Sequence, residues 1–155
     1  MRVNQEAELS NPSHRSLESL TAHAESTYST HLYLLLSLLN LPDTSGTLSH
    51  AASHLGVVQC FAVLLRALPY HASRGYLVIP ADIAAKHGVR QEDVFRSIRE
   101  RRRAVHIKGF DDAVFEFAVA ANDQMLTARS MFEKQDSMIP AEAMPVFLTG
   151  VWTSM

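Results

Sequence analysis

The sequence predicts an all-α bundle, and three observations carry that reading. Apolar residues recur at helical steps of three and four over most of the 155 residues. Residues 48–68 are apolar on nearly every side, which suits a helix at the centre of a bundle. Strand signals are weak, while Pro42, Gly46 and Gly88 punctuate the helical stretches.

Ser13 or Ser16 can cap a first helix, HRSLESLTAHAESTYSTHLYLLLSLL, whose apolar face is Leu17, Leu20, Ala24, Tyr28, Leu32, Leu35 and Leu39. Pro42 and Gly46 stop it. A second helix runs from near Leu48 to about Leu68, with Ala51, Ala52, Leu55, Val58, Phe61 and Leu65 around its circumference. Pro80 and Asp82 open a short helix that Gly88 closes, and RQEDVFRSIRERRRAV makes another amphipathic stretch. Phe110, Ala113, Val114, Phe117, Ala118, Ala121, Met125, Ala128 and Phe132 line one face of a long helix. A last helix begins in IPAEAMPVFL, with Pro140 in its first turn. Residues 1–12 read as a polar extension and residues 13–155 as the helical domain.

Composition suits one folded domain: 47% of residues are hydrophobic and 19% charged, too apolar for disorder. A net charge of -2 argues for neither nucleic acid nor an anionic membrane as the main partner. The single cysteine, Cys60, excludes an internal disulfide and fits a reducing, matrix-like compartment. The N-terminus MRVNQEAELSNPSHRS lacks the apolar centre of a secretory signal and, with Glu6 and Glu8, is too acidic for a transit peptide. The apolar runs LYLLLSLLNL and VLLRAL fall short of the roughly 20 residues that span a bilayer, so the sequence reads as soluble and untargeted.

Few constellations point to chemistry. His50 and His54 lie one helical turn apart and could share a metal, but no third ligand has a telling spacing, so they read as ordinary helix residues. The basic run Arg96, Arg99, Arg101, Arg102, Arg103 and Lys108 is interspersed with Glu92, Asp93 and Glu100. A solvated, ion-paired face suits it better than a nucleic-acid surface, and a docking surface for an acidic partner comes second. No serine sits in a nucleophile elbow and no glycine-rich loop precedes a helix. Cys60, inside an apolar helix, behaves as a small hydrophobe.

The stretch CFAVLLRALPYHASRGYLVIP, residues 60–80, contains no Asp or Glu. Gly56, Leu65-Arg66, Ala72, Arg74-Gly75 and Pro80, followed by PADIAAKHGV, nevertheless resemble the second aspartate-rich region of the squalene/phytoene synthase family in both order and spacing. The resemblance covers most of residues 13–150. It implies the all-α isoprenoid synthase (terpenoid synthase) bundle, with residues 13–155 as part of that domain.

By the same resemblance the family's Gln falls on Cys60, its Asn on Val63 and its two Asp on Ala67 and His71. Those acids hold Mg²⁺ against a prenyl diphosphate, because a hard cation takes oxygen ligands, and the metal neutralises the leaving group. Alanine offers no ligand, and histidine suits magnesium poorly. No DxxxD pattern, the mark of the family's first acidic region, occurs in the chain. The resemblance therefore implies a vestigial pocket of Val63, Arg66, Ala67, His71 and Arg74, with no catalytic, metal-binding or cofactor-binding residue.

One branch of the family, which assists the assembly of mitochondrial respiratory complex I, departs from the synthases in the same way. LRALPYHASR is similar to that branch, as are HAASH, HGVRQED and PAEAMPVFL around it. This resemblance implies a mitochondrial pseudoenzyme, in the matrix or at the inner membrane, that binds a complex I subunit or another assembly factor. It implies no cofactor and no nucleic acid, and it leaves room for an isoprenoid or lipid-like ligand and for peripheral membrane contact. The match is to the middle and later part of that branch, which would leave apolar faces uncovered. RERRRAVHIKG, residues 99–109, is longer than the family's linker there. Two other readings stay open. One is a squalene or phytoene synthase whose acidic motifs lie outside this chain, with Arg66 and Arg74 binding diphosphate. The other is a generic helical interaction module.

Overall fold

A computed structural model describes residues 14–41, 46–99, 107–134 and 139–149, and among them there is no strand. The helices are α1 (Leu17–Ala24), α2 (Thr30–Leu39), α3 (Thr47–Ser73), α4 (Ala81–Lys86), α5 (Gln91–Arg99), α6 (Phe110–Lys134) and α7 (Met144–Leu148). A π turn, Glu25–Ser29, joins α1 to α2. The all-α expectation holds. The chain gathers into two compact units: one takes the residues up to Leu20 with Leu64–Phe117, the other Thr21–Val63 with the residues from Ala118 onward.

In the first unit the start of α1 is fixed twice. The Ser16 hydroxyl accepts the Ser19 N–H at 3.1 Å, and the Asp82 carboxylate accepts the Leu17 N–H at 3.0 Å. Both satisfy N–H groups that a helix start leaves unpaired. Ser16 is thus a cap, while Ser13 and the 1–12 extension lie outside the described residues. Helix α4 ends as its sequence predicts. Gly88, at φ +68°, lets its own N–H reach the Ala85 carbonyl at 3.0 Å and the Val89 N–H reach that of Ala84 at 2.8 Å. Leu20, Leu77, Ile79, Val94 and Phe117 are fully buried in this unit.

Lys86 and His87, at the end of α4, both hold Glu116 on α6, with N–O distances of 2.8 and 2.7 Å. Hydrogen bonds from Lys86 and then His87 keep the Glu116 carboxyl below its ordinary range. Just before the basic run, Arg90 donates to Asp93 at 2.8 Å. The run's members Arg101, Arg102 and Arg103 lie outside the described residues.

In the second unit the first part of α3 is the most buried segment: Ala51, Ala52, Val57 and Phe61 are no more than 1% exposed. Leu32, Ala52, Leu55 and Val146 form its core, with Leu35, Leu36, Met125 and Phe147 packed against them. Phe132 and Phe147 meet edge to face with centroids 5.6 Å apart. Along α6 every residue of the predicted apolar face is buried or half-buried.

Four expectations need correction. The first helix contains the π turn, whose extra residue rotates the apolar face. Ser29 is consequently the fully buried residue, Tyr28 is half-buried and Leu39 is exposed. Helix α3 does not stop near Leu68 but continues through Pro69 to Ser73. Pro69 cannot donate to the Leu65 carbonyl, but it is exposed, so water reaches the broken rung. Helix α7 begins at Met144 rather than near Pro140, because Pro145 cannot donate to Ala141. Residues 140–143 form a turn closed by the Ala143 N–H on the Pro140 carbonyl at 2.9 Å.

The fourth concerns the membrane. Helix α3, with 27 residues, is long and apolar enough to cross a bilayer by length and composition, since alanines bridge the short apolar runs and Arg66 is its one Lys, Arg, Asp or Glu. More than half of its most apolar window, 56%, is buried inside the protein, as in the core helix of a bundle.

Candidate functional site

The residues of the expected vestigial pocket, like His50, His54 and Cys60, lie along α3 or at its end. At about 100° per residue, Cys60, Val63, Ala67, Tyr70, His71 and Arg74 fall within one stripe, with Arg66 beside it. The continuation of α3 past Pro69 is what keeps them on one helix. Arg74 and Gly75 then end it. Gly75, at φ +84°, allows its N–H to reach the Ala72 carbonyl at 3.1 Å and the Tyr76 N–H to reach that of His71 at 3.0 Å. The Arg-Gly pair of the motif is therefore a helix stop as well as a source of positive charge.

Val63, Ala67 and His71 are half-buried, while Arg66 and Arg74 are exposed. The Arg74 guanidinium lies over the Tyr70 ring, 5.1 Å from its centroid. The His71 ring meets the same tyrosine edge-on at 5.5 Å. Nothing in the stripe offers a carboxylate oxygen. Among the described residues no three His, Cys, Asp or Glu side chains are grouped as a metal would require. His54 Nδ1 pairs with Gln124 Oε1 at 2.5 Å, which ties α3 to α6.

Cys60 is 3% exposed, and burial pushes its thiol up to about 11. The thiolate is the nucleophile, so this cysteine is inert at neutral pH. Iodoacetamide at pH 8 is expected to leave Cys60 unmodified in the folded chain and to alkylate it in denaturant. Fast labelling of the folded chain, followed by mass spectrometry, would contradict that burial.

Val63 opens onto a cleft of about 470 Å³ lined also by Thr27, Tyr28, His31, Gln59 and Thr149. Arg66, Ala67, His71 and Arg74 are not among its lining residues. Sequence reasoning missed this cleft, because the π turn that brings in Thr27 and Tyr28 has no signature in residue spacing. Gln59, a polar residue inside an all-round apolar helix, was the visible signal.

The squalene/phytoene synthase family model matches residues 4–151. The chain is 38% identical over 146 residues to "NADH dehydrogenase (ubiquinone) complex I, assembly factor 6" of Rattus norvegicus, covering 94% of this chain and 40% of the relative. The protein of that name from Homo sapiens is 37% identical with the same coverage. The Drosophila melanogaster homolog is 35% identical over 92% of this chain and 40% of its own length. The chain thus spans about two fifths of the length of these relatives. No solved structure matches it significantly.

Proposed function

Because the chain belongs to the squalene/phytoene synthase family, we propose that it is a catalytically silent member that acts in the assembly of mitochondrial respiratory complex I by binding a protein partner. One observation carries the proposal: α3 has Val63, Ala67 and His71 at the positions where, by the resemblance, the family's amide and two carboxylates would fall. With no oxygen ligand there, magnesium is not held and the diphosphate leaving group is not neutralised. The names of the similar proteins support the assembly role, and with it a place in the matrix or on the inner membrane. The partner is a complex I subunit or another assembly factor.

The test is complementation in cells that lack the assembly factor 6 relative. Expression of this chain, directed to mitochondria, is expected to restore complex I on native gels, and Ala67→Ser with His71→Gln is expected to restore it equally. A chain that enters mitochondria and leaves complex I absent would refute the assembly role. A second reading, a synthase completed by acidic motifs outside this chain, draws on Arg74 at the end of the stripe and Arg66 beside it, exposed cations suited to diphosphate. Release of inorganic diphosphate from a prenyl diphosphate distinguishes the two.

A further inference from the structure

The geometry points to a ligand site in the cleft beside Val63, one that takes an uncharged amphiphile: an apolar body carrying a hydroxyl or carbonyl head. This stands apart from the assembly role, since such a site could serve a binding protein of any function. The cleft's volume, about 470 Å³, lies in the range of small-molecule sites. Its wall is mostly apolar, and its polar groups are the hydroxyls of Thr27, Tyr28 and Thr149, the His31 imidazole and the Gln59 amide. Among the described residues that line it there is no carboxylate, ammonium or guanidinium group. A diphosphate head would meet no lysine or arginine among those residues, and an anion gains little without a cationic partner. A neutral head needs no such partner and finds donors and acceptors in place.

Those groups are held in position. Gln59 is 8% exposed, and its Nε2 donates to Thr149 Oγ1 at 3.2 Å. The Thr149 hydroxyl in turn donates to the Val146 carbonyl at 2.6 Å. These two bonds fix the Gln59 and Thr149 side chains at the cleft wall. Opposite, the π turn commits Ser29 inward, where its hydroxyl donates to the Ser53 carbonyl at 2.8 Å. Thr27 and Tyr28, two and one residues earlier, are thereby given to the cleft. π turns inserted in α-helices are often found at functional sites. Burial and the neighbouring Cys60 raise the Tyr28 phenol above its ordinary range, so at neutral pH it is a hydrogen-bond donor.

The test is calorimetric titration of the chain with three probes that share one apolar body: farnesol, farnesyl diphosphate with magnesium, and the hydrocarbon farnesane. Farnesol is expected to bind at least about tenfold more tightly than either of the others, since a net hydrogen bond contributes about three- to tenfold and the cleft offers more than one. Tyr28→Phe should weaken farnesol about three- to tenfold and leave farnesane unchanged. Val63→Trp, which fills the cleft from its rim, should abolish binding, with thermal melts confirming that both variants fold. Equal binding of farnesol and farnesane would reduce the site to an apolar patch and overturn the proposal. Tighter binding of the diphosphate, or no binding of farnesol by the parent chain, would also overturn it. If Val63→Trp fails to fold, the ranking of the three probes on the parent chain decides.

Discussion

Gly56→Ala is expected to lower the melting temperature by about 9 °C, which corresponds to about 3 kcal/mol in a chain of this size. A Cβ built at Gly56 overlaps the Ser29 hydroxyl and comes within 2.5 Å of its backbone N and 2.6 Å of its Cα. Because the obstacle includes backbone, a rotamer change at Ser29 does not relieve it. The turn at Ser29 must move away from α3, which would also break the Ser29–Ser53 hydrogen bond. Adding Ser29→Gly should recover only a small part of the loss. A melt of Gly56→Ala within about 2 °C of the parent would mean that α3 and the π turn do not approach as described.

Gly109→Ala is expected to cost as much or more, about 3–4 kcal/mol, for two separable reasons. Its φ of +78° is a conformation that L side chains rarely adopt. A Cβ there would also overlap the His87 carbonyl oxygen and lie 3.1 Å from the carbonyl carbon. Gly88 is the control. It has a similar φ of +68° with nothing within 4 Å of its Cβ position, so Gly88→Ala should show only the conformational cost of about 1–2 kcal/mol. Urea denaturation of the two variants separates strain from overlap, and equal midpoints would contradict the close approach at His87.

The fold was legible where one physical rule acted alone. The all-round apolar run of α3 announced a buried helix, and Pro80, Asp82 and Gly88 marked both ends of α4. The face of α6, from Phe110 to Phe132, followed from helical spacing. Legibility failed where two rules competed. Pro69 reads as a terminator, yet an exposed helix position tolerates one missing hydrogen bond. Pro140 and Pro145 both suit a first turn, and only the donor missing at Pro145 shows which helix forms. The π turn depends on packing Ser29 against Gly56, a contact between residues 27 apart that no local pattern announces. The reading of Val63, Ala67 and His71 as a vestigial site rests on likeness to a family alone, since they have nothing unusual about them in isolation. Apart from Val63, the cleft was not legible, because Thr27, Tyr28 and Thr149 meet Gln59 only once the π turn, α3 and α7 have come together.

The central claim is that this chain retains the fold and has lost the metal-held chemistry. By the family resemblance, Ala67→Asp with His71→Asp would rebuild the second acidic cluster at the family's spacing, while the DxxxD pattern of the first occurs nowhere in this chain. The new carboxylates would sit at half-buried positions, where desolvation favours their protonated form. The decisive measurement is release of inorganic diphosphate from farnesyl or geranylgeranyl diphosphate with magnesium, comparing the parent chain with this double variant. We expect no release above the enzyme-free background from either protein. Release by the parent chain would contradict the claim outright, and release by the double variant alone would show that the remaining machinery survives and that the missing acids were its only loss.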